Sequence, residues 1–221
     1  MEDILLNFGK YKDTLDIHFK NIFTALHDTV EKLELRKDDL LNLLKAFKQD
    51  VTVNRYEKFD DILAYSDISA NPVGRLVLRI FGYDYEKHNN LYKLSDKICS
   101  ALQFANFWQD VSVDLKINRV YIPTEIMDKY DYRLEDLYLK VETDKFKKVM
   151  KELVDKTEQL FIDGNDLTRL LDGRLKIEIK ATVKGGMKIL ELIKNSNYKV
   201  LSLRVKLSKA DKIKILVTSI F

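Results

Sequence analysis

Glycine and proline are scarce in this sequence. Its 221 residues include 7 glycines and 2 prolines, which together make about 4% of the chain against a typical share near 12%. A protein built from many short strands needs turns rich in these residues, so an all-β fold is excluded. An α/β fold is disfavoured because no glycine-rich turn from strand to helix is present. The sequence therefore predicts an all-α fold with long helices.

Cysteine and long apolar runs are also lacking. The one cysteine, Cys99, cannot form an internal disulfide, which is typical of a reducing compartment or of a fold that needs no disulfide. No basic segment followed by an apolar one opens the chain, so no signal peptide is expected. No apolar run approaches the roughly 18 residues that span a membrane. We expect a cytoplasmic protein, with peripheral membrane contact as a further expectation.

Neither sign of charge dominates the chain. The sequence has 38 basic and 35 acidic residues, for a net charge of +3, and the two signs are interspersed. A dedicated nucleic-acid binder usually has a stronger basic excess, so no nucleic-acid partner is expected. Hydrophobic residues make up 46% of the chain. At this length and composition we expect a single domain over residues 1–221 with a sizeable core.

Helical periodicity dominates the pattern of apolar residues. A run of them at i, i+3, i+4 and i+7 predicts a helix after an N-cap at Asp38 or Asp39; it consists of Leu40, Leu43, Leu44 and Phe47. A second helical segment covers about 56–81, where Pro72 should kink or break it and Gly82 should end it. Further helices are predicted over about 90–115, 143–171, 174–195 and from 208 to the end, with an extended loop over 119–123.

One polar stripe stands out on the helix predicted over 90–115. Its members fall within about 80° of one another at about 100° per residue; they are Gln103, Asn106, Asp110 and Asp114. Carboxylates at i and i+4, with an amide at i−4, suit a Mg²⁺ ion that completes its shell with water and phosphate oxygens. A solvated helix face is the alternative. The two amides and the flanking aromatic residues favour a polar strip that faces an apolar cavity.

Several motifs resemble those of the squalene/phytoene synthase family. Residues 101–114 followed by 118–123 resemble its second aspartate-rich motif, and 65–78 resemble its tyrosine-containing helix. Asp50 and the pair Arg55-Tyr56 match positions where the family has an aspartate and an Arg-Tyr pair, and residues 184–190 with Arg204 resemble its C-terminal helices. The residues of the two central motifs are most similar to those of the bacterial hydroxysqualene synthases of hopanoid pathways.

The resemblance implies the all-α isoprenoid synthase fold and a Mg²⁺-dependent reaction of prenyl diphosphates. Family members join two such molecules head to head through a cyclopropyl diphosphate, and hydroxysqualene synthases capture the presqualene cation with water. The substrate would be farnesyl or presqualene diphosphate. The product stays open among squalene, hydroxysqualene, phytoene and dehydrosqualene.

The resemblance also assigns roles to individual residues. It implies that Asn106, Asp110 and Asp114 hold Mg²⁺ and diphosphate, with Gln103 orienting them. It places Tyr65 at the reacting carbons, in proton transfer or in diphosphate contact. It places Arg119 and Tyr121 at the border of the diphosphate pocket, and Tyr121 is also a candidate catalytic residue. Arg75 is either a diphosphate ligand or part of a structural ion pair.

The sequence departs from the family pattern in ways that define an alternative. Asp13 and Asp16 do not match the context of the family's first aspartate-rich helix, so the chain is expected to be an N-terminally shortened member with low activity. Ser66 replaces a common cysteine, and Val205 replaces a common proline; both changes are expected to be neutral. The alternative function is a non-catalytic binding or assembly protein that reuses the fold.

Lysines are frequent near the C-terminus. A solvated face is the default interpretation of these residues, and contact with an anionic lipid surface is the alternative; they are Lys199, Lys206, Lys209, Lys212 and Lys214.

Overall fold

The computed structural model describes residues 1–220, and helices dominate that range. No strand occurs within residues 1–220, where strand-like pairing is limited to a bridge between Arg55 and Val120. The all-α prediction is confirmed. The α-helices are α1 Glu2–Leu6, α2 Phe8–Tyr11, α3 Ile17–Leu33, α4 Lys37–Thr52, α5 Phe59–Ser69, α6 Asn71–Ile80, α7 Asn89–Asp114, α8 Thr124–Lys129, α9 Leu134–Tyr138, α10 Asp144–Gly164, α11 Leu167–Leu170, α12 Gly173–Asn195 and α13 Lys209–Ile220.

Helix α7 is the centre of the packing. It is 26 residues long, and α5, α6, α10 and α12 pack around it. Its apolar side chains Phe104 and Trp108 are fully buried. The indole Nε1 of Trp108 donates a hydrogen bond of 2.7 Å to Thr157 Oγ1 in α10. A long helix that is buried on most sides holds the residues of its last turns in fixed positions, and the polar stripe lies on those turns.

Two glycines permit the close approach of neighbouring helices to this centre. A Cβ at Gly74 in α6 would lie 2.5 Å from the Cys99 Sγ atom of α7. A Cβ at Gly186 in α12 would lie 2.3 Å from the ring of Phe161 in α10. Both distances are far below van der Waals contact, so the packing needs a residue without a side chain at each position.

The predicted helix boundaries hold in part. The segment predicted over 56–81 breaks at Ala70, and Pro72 occupies the first turn of α6, where its missing N–H has no cost. Gly82 follows α6 with φ +89°, a conformation that favours glycine. The helix predicted over 143–171 is in fact two, since α10 ends at Gly164 and α11 begins at Leu167.

Several short helices were not predicted. They include α8 and α9, of 6 and 5 residues, which lie in a stretch for which the apolar pattern predicts no secondary structure. Within residues 1–220, no helix combines the length and the apolar character needed to cross a bilayer.

Candidate active site

Asp110 and Asp114 lie on the last two turns of α7 and are both partly buried. Arg204, in the segment before α13, binds the Asp110 carboxylate with two nitrogens. Its Nε donates to Oδ1, and its Nη2 donates to Oδ2 at 2.9 Å. A bidentate pair of this kind covers both oxygens of Asp110. A cation that used Asp110 as a ligand would have to displace the guanidinium.

Asp114 has no such partner among the described residues. Burial, followed by the negative charge of Asp110, raises the pKa of the Asp114 carboxyl to about 6, although Arg119 and Arg204 act in the opposite direction. Two carboxylates one turn apart in a partly buried position repel each other, and a divalent cation relieves that repulsion. The donor set therefore fits Mg²⁺.

Carboxylates alone do not complete a metal site here. Within residues 1–220, no three His, Cys, Asp or Glu side chains are grouped closely enough to hold a metal ion. A Mg²⁺ ion at Asp110 and Asp114 would therefore keep water ligands or take oxygens from a bound phosphate, as Mg²⁺ commonly does. This arrangement favours a site in which the substrate itself supplies part of the coordination shell.

An aromatic cluster lies beside the carboxylates. It consists of Tyr56, Tyr65, Phe107 and Tyr121. The rings of Phe107 and Tyr121 are parallel within 4°, with centroids 3.6 Å apart. Tyr65 stacks beside them, with centroids 6.4 Å from Phe107 and 6.3 Å from Tyr121. Phe107 is three residues before Asp110, so the cluster and the carboxylates share one side of α7.

Tyr65 and Tyr121, the two candidate catalytic residues, are thus brought together by this cluster. Tyr65 is 5% exposed, and its Oη donates to Asp50 Oδ1 at 2.6 Å. Burial, and then this hydrogen bond, strongly raises the pKa of the Tyr65 phenol. Burial also raises the pKa of Tyr121. Both phenols therefore keep their protons near neutral pH.

Arg119 lies at the edge of the same cluster. Its Nη2 donates a hydrogen bond of 3.1 Å to the backbone oxygen of Asp50. This contact ties the segment after α7 to the end of α4, and it leaves Arg119 close enough to Tyr121 and Asp114 to influence their pKa values. That Arg119 borders a diphosphate pocket stays a prediction.

Gln103 has partners other than the aspartates. Its Nε2 donates to Ser69 Oγ at 2.9 Å, and its Oε1 accepts from Ser66 Oγ at 2.9 Å. Both serines belong to α5, so the amide joins α7 to the helix that carries Tyr65. Ser66, expected to be neutral, therefore has a defined partner. In this structure Gln103 positions α5 instead of contacting the aspartates.

Asn106 lies one turn before Asp110 on α7, toward the solvent-exposed edge of the polar stripe. It is exposed and borders a groove of about 410 Å³ between α7, α12 and the segment before α13. Lys206 and Lys212 line the same groove. The amide thus lies in a groove that two lysines also line, rather than against the aromatic cluster.

Arg75 lies far from Asp110 and Asp114 and pairs with other carboxylates. Its Nε and Nη2 donate to the two oxygens of Asp96 at 2.9 and 2.8 Å, and it also pairs with Asp67 and lies 3.7 Å from Asp39. Asp96 is 14 residues before Asp110 on α7, which is about 21 Å along a helix. This geometry favours the structural ion pair over diphosphate binding.

Comparisons with known proteins agree with these motifs. The sequence profile of squalene/phytoene synthases matches residues 3–211. The hydroxysqualene synthase of Rhodopseudomonas palustris is 36% identical over 141 residues, which are 63% of this chain and 47% of that protein. The hydroxysqualene synthase of Zymomonas mobilis is 32% identical over 173 residues, which are 77% of this chain and 56% of that protein.

A solved structure is similar at the level of the fold and the sequence. The crystal structure of squalene synthase HpnC from Alicyclobacillus acidocaldarius matches with a TM-score of 0.76 and 34% identity, over 80% of this chain and 66% of that one. The chain spans about half the length of the curated relatives it matches.

Proposed function

Since this chain belongs to the squalene/phytoene synthase family, as its motifs predict, we propose that it acts on prenyl diphosphates in squalene or hydroxysqualene formation. The reaction is the head-to-head condensation through presqualene diphosphate, or the conversion of presqualene diphosphate to hydroxysqualene. The observation that carries the proposal is the partly buried pair Asp110–Asp114 beside the aromatic cluster. The names of the relatives support the hydroxysqualene branch. A role in hopanoid synthesis is proposed from the resemblance of the two central motifs alone.

The two aspartates would hold Mg²⁺ together with the substrate. Asp110 and Asp114 offer the carboxylates, and Asn106 offers an amide from the groove side. When bound, Mg²⁺ supplies charge that stabilises the departing diphosphate. Arg119 adds a fixed positive charge at the edge of the pocket, and Arg204, once displaced from Asp110, is left beside the same anion.

The aromatic cluster has the complementary role. Ionisation of an allylic diphosphate leaves a carbocation, which is stabilised by the faces of aromatic rings and destroyed early by stray water. Tyr56, Tyr65 and Phe107 are buried, and Tyr121 stacks on Phe107. These rings present an apolar wall next to the polar carboxylates, which is the juxtaposition that such a reaction requires.

We also propose one domain over residues 1–221 and a cytoplasmic protein with peripheral contact to anionic lipid. The buried side chains of α4 through α12 belong to one contiguous cluster, which supports the single domain. The outward face of α13 supports the membrane contact. Its apolar residues are 48–65% exposed; they are Ile213, Leu216, Val217 and Ile220.

The test uses the purified 221-residue protein in excess over farnesyl or presqualene diphosphate, because turnover is expected to be slow. We expect Mg²⁺-dependent formation of a hydrocarbon or alcohol, abolished by Asp110→Asn. The matched control is Asp28→Asn, which changes an exposed carboxylate of α3 and should leave the rate unchanged. Consumption that needs neither Mg²⁺ nor Asp110 would contradict the proposal. Mg²⁺-dependent binding with no product would support the non-catalytic alternative.

A further inference from the structure

The segment between α12 and α13 carries Arg204 on an irregular backbone. Residues 203–208 form neither helix nor strand, so their backbone depends on partners from other elements for its hydrogen bonds. Arg204 is nevertheless held on the Asp110 carboxylate by two donors. Ordering a long side chain in one position costs conformational entropy, and the cost rises if the backbone beneath it also moves. The contacts that fix this backbone therefore decide where the guanidinium lies.

Glu142 holds the segment on the N-terminal side of Arg204. Its Oε1 accepts hydrogen bonds from the backbone N–H groups of Leu201 and Ser202 at 2.9 and 3.0 Å, and its Oε2 accepts from Ser202 Oγ at 2.9 Å. Hydrogen bonds to an ionised carboxylate are stronger than those between neutral groups. Leu201 is also buried. One side chain thus binds two consecutive residues of the segment shortly before Arg204.

Glu142 is itself attached to the helical frame. It directly precedes Thr143, the N-cap of α10, whose side chain accepts a hydrogen bond from the Phe146 N–H. Phe146 is fully buried, and α10 packs along α7. The position of the Glu142 carboxylate is therefore set by the same packing that positions Asp110.

Gln109 holds the segment on the other side of Arg204. Its Nε2 donates a hydrogen bond of 2.7 Å to the backbone oxygen of Val205, which is buried. Gln109 precedes Asp110 and Val205 follows Arg204, so adjacent residues of α7 bind adjacent residues of the segment. The backbone is attached on both sides of Arg204, whereas the Arg204 side chain is 42% exposed.

We propose that Glu142 is a positioning residue, which fixes the backbone beneath Arg204 so that its guanidinium can exchange Asp110 for a diphosphate oxygen by side-chain rotation alone. The inference rests on the proposed function for the identity of the anion. In the structure as it stands, the guanidinium neutralises Asp110 and competes with any cation for it. Once Asp110 binds a cation, the guanidinium stays within the length of one side chain and adds positive charge for the anion. A loosened segment would lose both effects.

The first experiment follows the Nε–H of Arg204 by ¹⁵N nuclear magnetic resonance without metal or substrate, and Arg204→Lys assigns the signal. Glu142→Ala should speed the exchange of this hydrogen with water by at least about 5-fold, because a loosened backbone lets the ion pair open more often. Glu142→Gln keeps an acceptor oxygen for the two backbone N–H groups and should stay within about 2-fold of the wild type. Ser202→Ala, which removes one of the three bonds, should have a smaller effect of the same sign.

The internal control is the Nε–H of Arg75, which donates to Asp96 Oδ1 at 2.9 Å. Its exchange should not change, and an unchanged signal also shows that the variant is folded. Exchange at Arg204 that is unaffected by both Glu142→Ala and Ser202→Ala would overturn the proposal.

The second experiment uses Mn²⁺ and inorganic pyrophosphate as probes. Glu142→Ala should strengthen the binding of Mn²⁺ alone by about 2- to 5-fold, since the guanidinium competes less well for Asp110. The same variant should weaken the binding of pyrophosphate to the Mn²⁺-loaded protein by about 3- to 10-fold, because a charge-assisted hydrogen bond is lost. Glu142→Gln should restore both affinities. A merely structural role would weaken both, and that result would contradict the proposal.

The matched control is Glu135→Ala, which removes an exposed carboxylate of α9 and should leave both affinities unchanged. Pyrophosphate binding that Glu142→Ala does not alter would refute the role of Glu142 and leave the proposed function in place. A wild-type protein that binds Mn²⁺ but no pyrophosphate would refute the proposed function, and the exchange of partners with it.

Discussion

Asp114 is a partly buried carboxylate whose ionisation changes the stability of the folded protein. Its pKa in the folded protein is about 6, raised from 3.8 by burial and by Asp110. Because the folded state favours the protonated form, this residue's contribution to stability is fully present below about pH 4. It is lost as the pH rises through about 6. At pH 7 the charged Asp114 therefore destabilises the metal-free protein.

We expect Asp114→Asn to raise the free energy of unfolding at pH 7 by about 1–2 kcal/mol, since a shift of one pKa unit corresponds to about 1.4 kcal/mol and partial exposure screens some of it. Little gain is expected at pH 4, where Asp114 is already neutral. Urea denaturation without Mg²⁺ at both pH values measures the difference, with Asp28→Asn as the exposed control. Equal gains at the two pH values would show that the charge of Asp114 is not responsible.

Arg204 is the second residue whose effect can be isolated. Its guanidinium occupies both oxygens of Asp110, so an incoming cation competes with it. Arg204→Ala should strengthen the binding of Mn²⁺, used as a probe for Mg²⁺, by about 3- to 10-fold, because the site becomes more negative and no ion pair has to break. Electron paramagnetic resonance of free Mn²⁺ measures the affinity.

The control for that measurement is Arg169→Ala, which removes an exposed arginine from a surface pair with Asp166 and lowers the net charge equally. Stronger Mn²⁺ binding in both variants would point to the overall charge, and weaker binding in Arg204→Ala alone would show that Arg204 supports the site instead of competing with the cation.

At the scale of the elements, α12 contains a natural matched pair in Gly185 and Gly186. A Cβ at Gly186 would lie 2.3 Å from Phe161 and 3.1 Å from Leu102, whereas a Cβ at Gly185 meets nothing within 4 Å. Gly186→Ala should lower the free energy of unfolding by about 1–3 kcal/mol through overpacking. Gly185→Ala should raise it by about 0.5–1 kcal/mol, because alanine favours the helix.

Thermal and urea denaturation of the two variants gives the comparison directly. Since both substitutions add the same methyl group to adjacent residues of one helix, helix propensity is held constant and packing alone differs. Similar shifts in the same direction would show that α10 and α12 are not packed as closely as the structure has them.

The elements predicted from the sequence are those whose signal is local. Pro72 and Gly82 set the limits of α6 through their own backbone preferences. The apolar stripe of α7 follows from the helical periodicity of its 26 residues. Helices α8 and α9 are too short, at 6 and 5 residues, to complete two turns, so periodicity has too little sequence to act on.

The candidate site likewise combines features that are local in the sequence with contacts between distant residues. Helical spacing put Asp110 and Asp114 on one side of α7, because angles around a helix axis can be read from the sequence. Spacing says nothing of what faces that side from another element. The ion pair of Arg204 with Asp110 and the hydrogen bond of Tyr65 with Asp50 join residues 94 and 15 positions apart, and only the packing of separate helices brings them together.

At the scale of the whole molecule, α13 leaves an apolar stripe exposed. The stripe recurs at i, i+3, i+4 and i+7 on the face opposite α12, to which α13 is attached through Lys184 and Thr218. Lys209, Lys212 and Lys214 flank it. An amphipathic helix with lysines beside its apolar face is typical of the interface of an anionic membrane.

We expect the protein to sediment with vesicles that contain phosphatidylglycerol and to stay in solution with pure phosphatidylcholine. Each lysine near an anionic surface contributes about 1 kcal/mol, and buried apolar area supplies the rest. Leu216→Asp places a charge in the middle of the stripe and should weaken binding at least about 10-fold, since burying it against lipid is unfavourable. The interaction should also weaken as salt is added, because screening reduces the attraction of the lysines.

The matched control is Leu139→Asp, which makes the same chemical change at a leucine that is 73% exposed and lies after α9, away from the stripe. It should bind vesicles like the wild type, because an isolated exposed leucine offers no amphipathic face. Equal losses in both variants would attribute the effect to net charge alone. A wild-type dimer in light scattering that Leu216→Asp converts to a monomer, without any vesicle binding, would show that a second copy covers the stripe. Binding that depends on Leu216, on anionic lipid and on low salt together would connect the face of α13 to a membrane, which is where the apolar product of the proposed reaction would be delivered.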